Sequence, residues 1–254
     1  MNLLKNEAPE SHPWTVFIPE TKARALPGTN THEMKTLVAG DQVSGTIYCD
    51  SRTDEEWLAT KFAGRNAYVQ LAALMRVHPN FAQVKGNIPI GTEFVNRWWG
   101  ISPNYEPTDL VTIPAQYTVE DGKEYRLRQQ AVAALTAMID AAARDSIILR
   151  VNSAYRSGEY QRGLFMQACA KNGCAQRYSA RPGHSEHQLG VAADICDAAQ
   201  KHAFEHSFQD TPEGEWLTAN AARFGFRRSY TDDNTAETGY ISEPWHWRYW
   251  GTES

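Results

Sequence analysis

Ser185-Glu186-His187-Gln188-Leu189-Gly190-Val191-Ala192-Ala193-Asp194 sets an imidazole and a carboxylate seven residues apart, and Glu243-Pro244-Trp245-His246 adds a second imidazole and another carboxylate further on. A catalytic zinc site takes three protein ligands and leaves a fourth position open for water. His187, Asp194 and His246 meet that count, and Glu243 remains as a base. In one straight strand, residues seven apart point to opposite faces; in one helix they stand roughly 10 Å apart along the axis. Neither geometry brings both side chains to a metal at about 2.0–2.2 Å. The chain is therefore expected to bend at Gly190, the residue that tolerates it, before a short buried strand, Val191-Ala192-Ala193-Asp194-Ile195. Glu243 and His246, three apart, share one side of a single helical turn that Pro244 could start, and an aromatic strand is equally open there.

Outward from this stretch, residues 126–144 read as an alanine-rich helix with Val132, Leu135, Met138 and Ile139 as its buried stripe. Residues 146–152 read as a buried strand that delivers Arg156 just past its end. A helix over 158–171 carries Gln161 in its first turn, and Thr211-Pro212 starts another through Trp216, Leu217, Ala221 and Phe224, stopped at Gly225. Phe226 to Tyr230 and Tyr240-Ile241 read as strands before Glu243. The order predicts an α+β fold, a small mainly antiparallel sheet flanked by helices.

The organisation changes near residue 100. Residues 1–45 lack sustained periodicity and read as an extended arm or irregular strands. Thr53-Asp54-Glu55-Glu56 has the capping-box pattern, and Trp57, Leu58, Phe62, Leu71, Leu74 and Met75 predict a following helix that ends near Pro79. A strand and turn follow through Asn87-Ile88-Pro89-Ile90-Gly91. The expected division is an N-terminal extension or small accessory region, 1–97, and a catalytic region, 98–254.

With 254 residues, 42% hydrophobic and 22% charged, the chain can bury a real core, and its formal net charge of −5 gives no basic footprint for nucleic acid. No apolar run reaches the ~18 residues of a membrane span, and the opening decapeptide lacks the basic end and apolar stretch of a signal peptide. That reads as a mature or trimmed form, or as export by another route. The isolated His12, His32, His78, His202 and His206, and His184 just off the motif's spacing, are read as ordinary surface or hydrogen-bonded residues. Cys49, Cys169, Cys174 and Cys196 permit three full pairings; Cys169 with Cys174 would close a small loop, and no close-spaced Cys-x-x-Cys pair suggests a metal.

The pattern Ser-x-His-x-x-Gly-x-Ala-x-Asp followed by Glu-x-Trp-His resembles the VanY-type zinc D-alanyl-D-alanine carboxypeptidases, in the group that includes D,D-dipeptidases and hedgehog-like folds. Ser153-Ala154-Tyr155-Arg156-Ser157 with Gln161, Arg181-Pro182-Gly183, Trp247-Arg248-Tyr249 and the upstream Tyr105 to Val111 extend the resemblance over residues 98–251. It implies one Zn²⁺ held by His187, Asp194 and His246, Glu243 as base, Arg156 as oxyanion stabiliser, and Gln161 and Ser185 at the peptide's terminal region. The implied partner is a peptidoglycan stem peptide ending in D-Ala-D-Ala, which implies a periplasmic or extracytoplasmic setting. An L,D-carboxypeptidase or stem-peptide endopeptidase of the same chemistry stays open, as does a wall-binding protein without turnover, against which Glu243 and Arg156 argue. Oligomeric state is not legible.

Overall fold

The computed structural model describes residues 13–50, 55–81, 84, 86–92 and 95–251. The segment from Ser185 to Asp194 lies at its centre. Ala192–Asp197 is an inner strand of a four-stranded antiparallel sheet ordered Leu149–Ser153, Ala192–Asp197, His246–Tyr249, Phe226–Arg228. Helix α1 (Gln129–Arg144) supplies Val132, Leu135, Met138 and Ile139 to a core shared with Val151, Ala193, Ile195 and Trp247. Each such apolar side chain contributes roughly 1.5–3 kcal/mol when fully buried. Because side chains alternate across a strand, Asp194, His246 and Arg248 face away from Ala193, Ile195 and Trp247. One side of the sheet is core, and the other is free for chemistry. The α+β expectation holds.

The bend at Gly190 is present. A 3₁₀ turn, Glu186–Leu189, ends on Gly190 at φ +70°, in the left-handed region. A methyl group there would stand 2.9 Å from Leu110 Cδ2 and 3.1 Å from Arg128 Cγ and Pro107 Cγ. Gly190→Ala meets both the backbone penalty and the crowding, and should cost about 1–3 kcal/mol, read as a lowered Tm.

Helix α2 (Gly158–Asn172) is capped by Ser157, whose side chain accepts from Tyr160 N–H. Helix α3 (Pro212–Asn220) is capped by Thr211 and continues through a 3₁₀ turn to Gly225, also left-handed. Several boundaries differ from expectation. Arg126–Arg128 is a strand paired with Leu110–Thr112, so α1 begins at Gln129. Ser146 has φ +63°, which turns the chain before the strand starts at Leu149. Tyr240-Ile241 and Asn87 to Gly91 form no strand; Ile241 N–H instead donates to Arg177 O.

The largest correction is N-terminal. Thr53 and Asp54 lie outside the described residues, but the helix expected after them is a hairpin, Glu55–Phe62 with Arg65–Gln70. Ala63 and Gly64 both have positive φ, 49° and 77°, the geometry of a tight turn whose twist matches the flanking strands. The hairpin sits in a five-stranded antiparallel sheet with Thr21–Arg24, Glu33–Leu37 and Thr46–Asp50. Trp14–Val16, Gln42–Val43 and Leu74–Met75 make a three-stranded sheet beside it. Residues 13–45 thus hold four short strands joined by loops, the strand alternative and not the arm, with a core of Trp14, Leu37, Leu58, Val69 and Leu74.

Cys169 and Cys174 form a disulfide, while Cys196 is a buried thiol that burial pushes up to about 12. No helix among the described residues is long and apolar enough to cross a membrane.

Candidate metal and catalytic site

Asp194 and His246 stand directly opposite each other on neighbouring antiparallel strands, the position at which cross-strand side chains meet. The Gly190 bend returns His187 to the same place. His187 Nε2 and His246 Nδ1 each lie 3.2 Å from Asp194 Oδ1. Ligands about 2.0–2.2 Å from a tetrahedral ion stand roughly 3.3–3.6 Å apart, so the cluster is near the size of a metal's coordination sphere.

The other ring nitrogens fix which atoms face inward. His187 Nδ1 lies 2.7 Å from Ala154 O and His246 Nε2 lies 2.9 Å from the Glu186 carboxylate. Both are positions for an N–H donor, so each ring in its neutral form turns a lone pair inward. Three acceptors then converge in a buried space, and such a set calls for a cation. Without an ion, a proton on His246 supplies that positive charge. Burial opposes a protonated His246, yet hydrogen bonds to Asp194 and Glu186 outweigh it and push its pKa up to about 10. Burial likewise opposes ionised Asp194, but His187, His246 and Arg156 hold it well below 3.8. The donor set fits a borderline divalent metal such as zinc.

Glu186 escaped the sequence reading. Its carboxylate bridges His246 and Arg248, accepting from Arg248 Nη1 at 2.6 Å. A usable signal existed: His246 and Arg248 are two apart on one strand and therefore share a face. Arg248 and His246 outweigh burial and hold the Glu186 carboxyl down at about 2. Glu186→Gln should weaken metal affinity about 10–100-fold without abolishing it, measured by competition with a chromogenic chelator.

Glu243 reaches the cluster through a turn, not a helix: His246 N–H donates to Glu243 O, and the strand starts at His246. Glu243 Oε2 lies 3.9 Å from His246 Nδ1. Burial, reinforced by Asp194 and Glu186, pushes its pKa up to about 8. Arg156 follows the Leu149–Ser153 strand. Its Nη2 donates to Asp194 Oδ2 at 2.7 Å and lies 2.9 Å from His187 Nε2, while Nε donates to Ser153 Oγ. Gln161 is engaged at both ends, accepting from Arg156 Nη1 and donating to Ala180 O. Ser185 is buried and lines the same cleft. All seven sequence-derived residues line one cleft of about 480 Å³, together with Tyr230, Tyr240 and Trp245.

Among the other histidines, His184 is fully buried, with Nδ1 toward Asn96 O and Nε2 accepting from Arg76 N–H. Its ring stacks on Trp14, and Arg181 reaches Leu71 O and Arg97 O. The Arg181-Pro182-Gly183-His184 segment is thereby clamped by the N-terminal region. His32, His78, His202 and His206 lie outside the metal cluster, and His12 is outside the described residues.

A D-alanyl-D-alanine carboxypeptidase of Enterococcus faecalis is 36% identical over 158 residues, 56% of each chain. The solved LdcB LD-carboxypeptidase is 34% identical with TM-score 0.58, covering 63% of this chain and 76% of its own; VanYB, solved in complex with D-alanine-D-alanine, is 31% identical with TM-score 0.51, covering 63% and 86%. The chain spans 60% of the length of the Bacillus subtilis putative carboxypeptidase YodJ and 56% of that of the Enterococcus faecalis carboxypeptidase. The fold is that of the VanY- and LdcB-like carboxypeptidases. The VanY D-alanyl-D-alanine carboxypeptidase model matches residues 124–252, half of the chain, and the protein belongs to that family.

Proposed function

We propose that the protein is a zinc-dependent D-alanyl-D-alanine carboxypeptidase that removes the terminal D-Ala from peptidoglycan stem peptides, with one Zn²⁺ held by His187, Asp194 and His246. The observation that carries this reading is the convergence of His187 Nε2, Asp194 Oδ1 and His246 Nδ1 beside Glu243 and Arg156 at the floor of one cleft. Zinc bound by these residues supplies Lewis-acid polarisation and a water of lowered pKa. Glu243 accepts the attacking water's proton and passes it to the leaving amine. Arg156, positive at any working pH, faces the oxygen on which charge develops; losing such a donor typically costs about 10²–10³ in rate. Ser185 and Gln161 line the approach of the peptide's C-terminal end, with Gln161 also orienting Arg156.

A second reading is an L,D-carboxypeptidase, favoured by the likeness to LdcB. Both substrates place the protein outside the cytoplasm. In the same reading, residues 1–97 are an extension that braces the catalytic region 98–254, supported by the contacts of Arg97, Arg181 and His184 across that boundary. Mass spectrometry of pentapeptide and tetrapeptide muropeptides, incubated with zinc-loaded protein and with Glu243→Ala as blank, tests the function. Loss of one D-Ala from the pentapeptide alone supports the first reading. Trimming of the tetrapeptide supports the second, and unchanged peptides would sink both.

A further inference from the structure

The geometry points to Lys171 as a specificity-determining residue that receives a carboxylate of the peptide substrate, remote from the scissile bond. This rests on the carboxypeptidase reading and adds which stem peptides it prefers. Gln161, Leu164, Ala168 and Lys171 line the cleft and follow one another at spacings of three and four, a single face of α2. The two ends of that face differ: Gln161, beside Arg156, is 1% exposed and Ala168 is still buried, whereas Lys171 is exposed. The stripe therefore runs from the floor of the site to its rim.

Charge singles out Lys171. Of the side chains lining the cleft, the fixed cations are Arg156 and Lys171, and the carboxylates are Asp194 and Glu243. Arg156 is committed to Asp194 and Gln161. Both carboxylates belong to the metal cluster. Lys171 has no ion pair among the described residues, so it is the free charge that an incoming peptide meets.

Its backbone is held in place. Cys169 is tied to Cys174, and Gly173, at φ +77°, closes the helix by donating to Cys169 O. The chain then folds back through Gln176, whose side chain accepts from Tyr178 N–H and Ser179 N–H and whose carbonyl accepts from Arg97. Tyr178 and Ser179 line the cleft as well. An anchor fixed at its base loses less freedom on binding than one on a mobile loop.

Length gives the position. Ten helical residues from Gln161 to Lys171 span about 15 Å, and a lysine side chain reaches back roughly 6 Å. The carboxylate thus sits about 9–15 Å upstream of the scissile carbonyl, where an extended peptide advances about 3.3 Å per residue. In a stem peptide cut after its fourth residue, that range takes in the free α-carboxylate of a γ-linked second residue. It also takes in a carboxylate at the end of the third residue's side chain.

The test is steady-state kinetics of the zinc-loaded full chain on stem pentapeptides that differ in one group: the second residue as acid or amide, and the third with or without a side-chain carboxylate. Lys171→Ala should raise KM about three- to tenfold for the peptide bearing the recognised carboxylate, leave kcat unchanged and leave its neutral counterpart untouched. Lys171→Arg should restore KM, Lys171→Glu should raise it further, and 0.5 M salt should shrink the differences. Equal effects on acidic and neutral peptides, or no effect on either, would overturn the assignment while the wild type's turnover keeps the carboxypeptidase reading intact. A wild type that cleaves none of the peptides would overturn both the assignment and the D,D-carboxypeptidase reading on which it rests.

Discussion

Glu243→Gln is expected to reduce kcat at least 10³-fold while zinc binding survives, because the amide keeps the shape of the side chain and removes its ability to accept a proton. General-base removal alone is worth about 10²–10⁴-fold. The substitution has a second consequence, for stability. In the metal-free protein Glu243 has its pKa raised from 4.5 to about 8, chiefly by burial. A carboxyl whose folded pKa exceeds its unfolded pKa contributes stability that is complete below the unfolded value and is lost as pH rises through the folded one. Metal-free wild type should therefore lose stability relative to Glu243→Gln between pH 4.5 and about 8, with the gap constant above that. Thermal melts across this window, with and without chelator, check it. A parallel pH dependence of the two proteins would show that Glu243 is not held in its protonated form.

Asp194→Asn is the other change with a large effect. Asp194 is the anion of the proposed coordination set and also receives Arg156 at 2.7 Å. The amide withdraws the negative charge from the centre of two imidazoles and a guanidinium, all within a buried space. Removing one partner of a buried charged set costs roughly 3–5 kcal/mol, a factor of about 10²–10⁴, so zinc affinity should fall by a factor of that order and turnover with it. Chelation of the wild type should reproduce the loss, and added Zn²⁺ should restore the wild type but not the variant. Full zinc occupancy of Asp194→Asn under these conditions, by metal analysis after gel filtration, would remove Asp194 from the ligand set.

The site was legible in sequence because its constraints are local. His187 and Asp194 lie on either side of one glycine, and Glu243 and His246 lie within one turn of chain. Each pair is informative through what a strand or a helix cannot do. Arg156 and Gln161 were legible for a similar reason: a strand end followed by a helix start puts them within reach of each other, at 3.3 Å. Glu186 was not found, since its importance comes from Arg248 and His246, which reach it across about sixty residues of sequence.

The N-terminal misreading has a different cause. Trp57, Leu58 and Phe62 satisfy a helical spacing as well as a strand's, and only the Ala63-Gly64 turn and pairing with Arg65–Gln70 decide between them. Periodicity over a short apolar segment is shared by both structures, whereas strand pairing is settled by partners elsewhere. By itself, the sequence determined the candidate site residues His187, Asp194, Glu243 and His246, the bend at Gly190, the α1 core stripe and the family pattern. Tertiary structure alone decided which nitrogen of each histidine faces inward, which carboxylate braces His246, and how far the free cation on α2 stands from the reacting centre. Those depend on distances between segments remote in the chain, which local propensity does not encode.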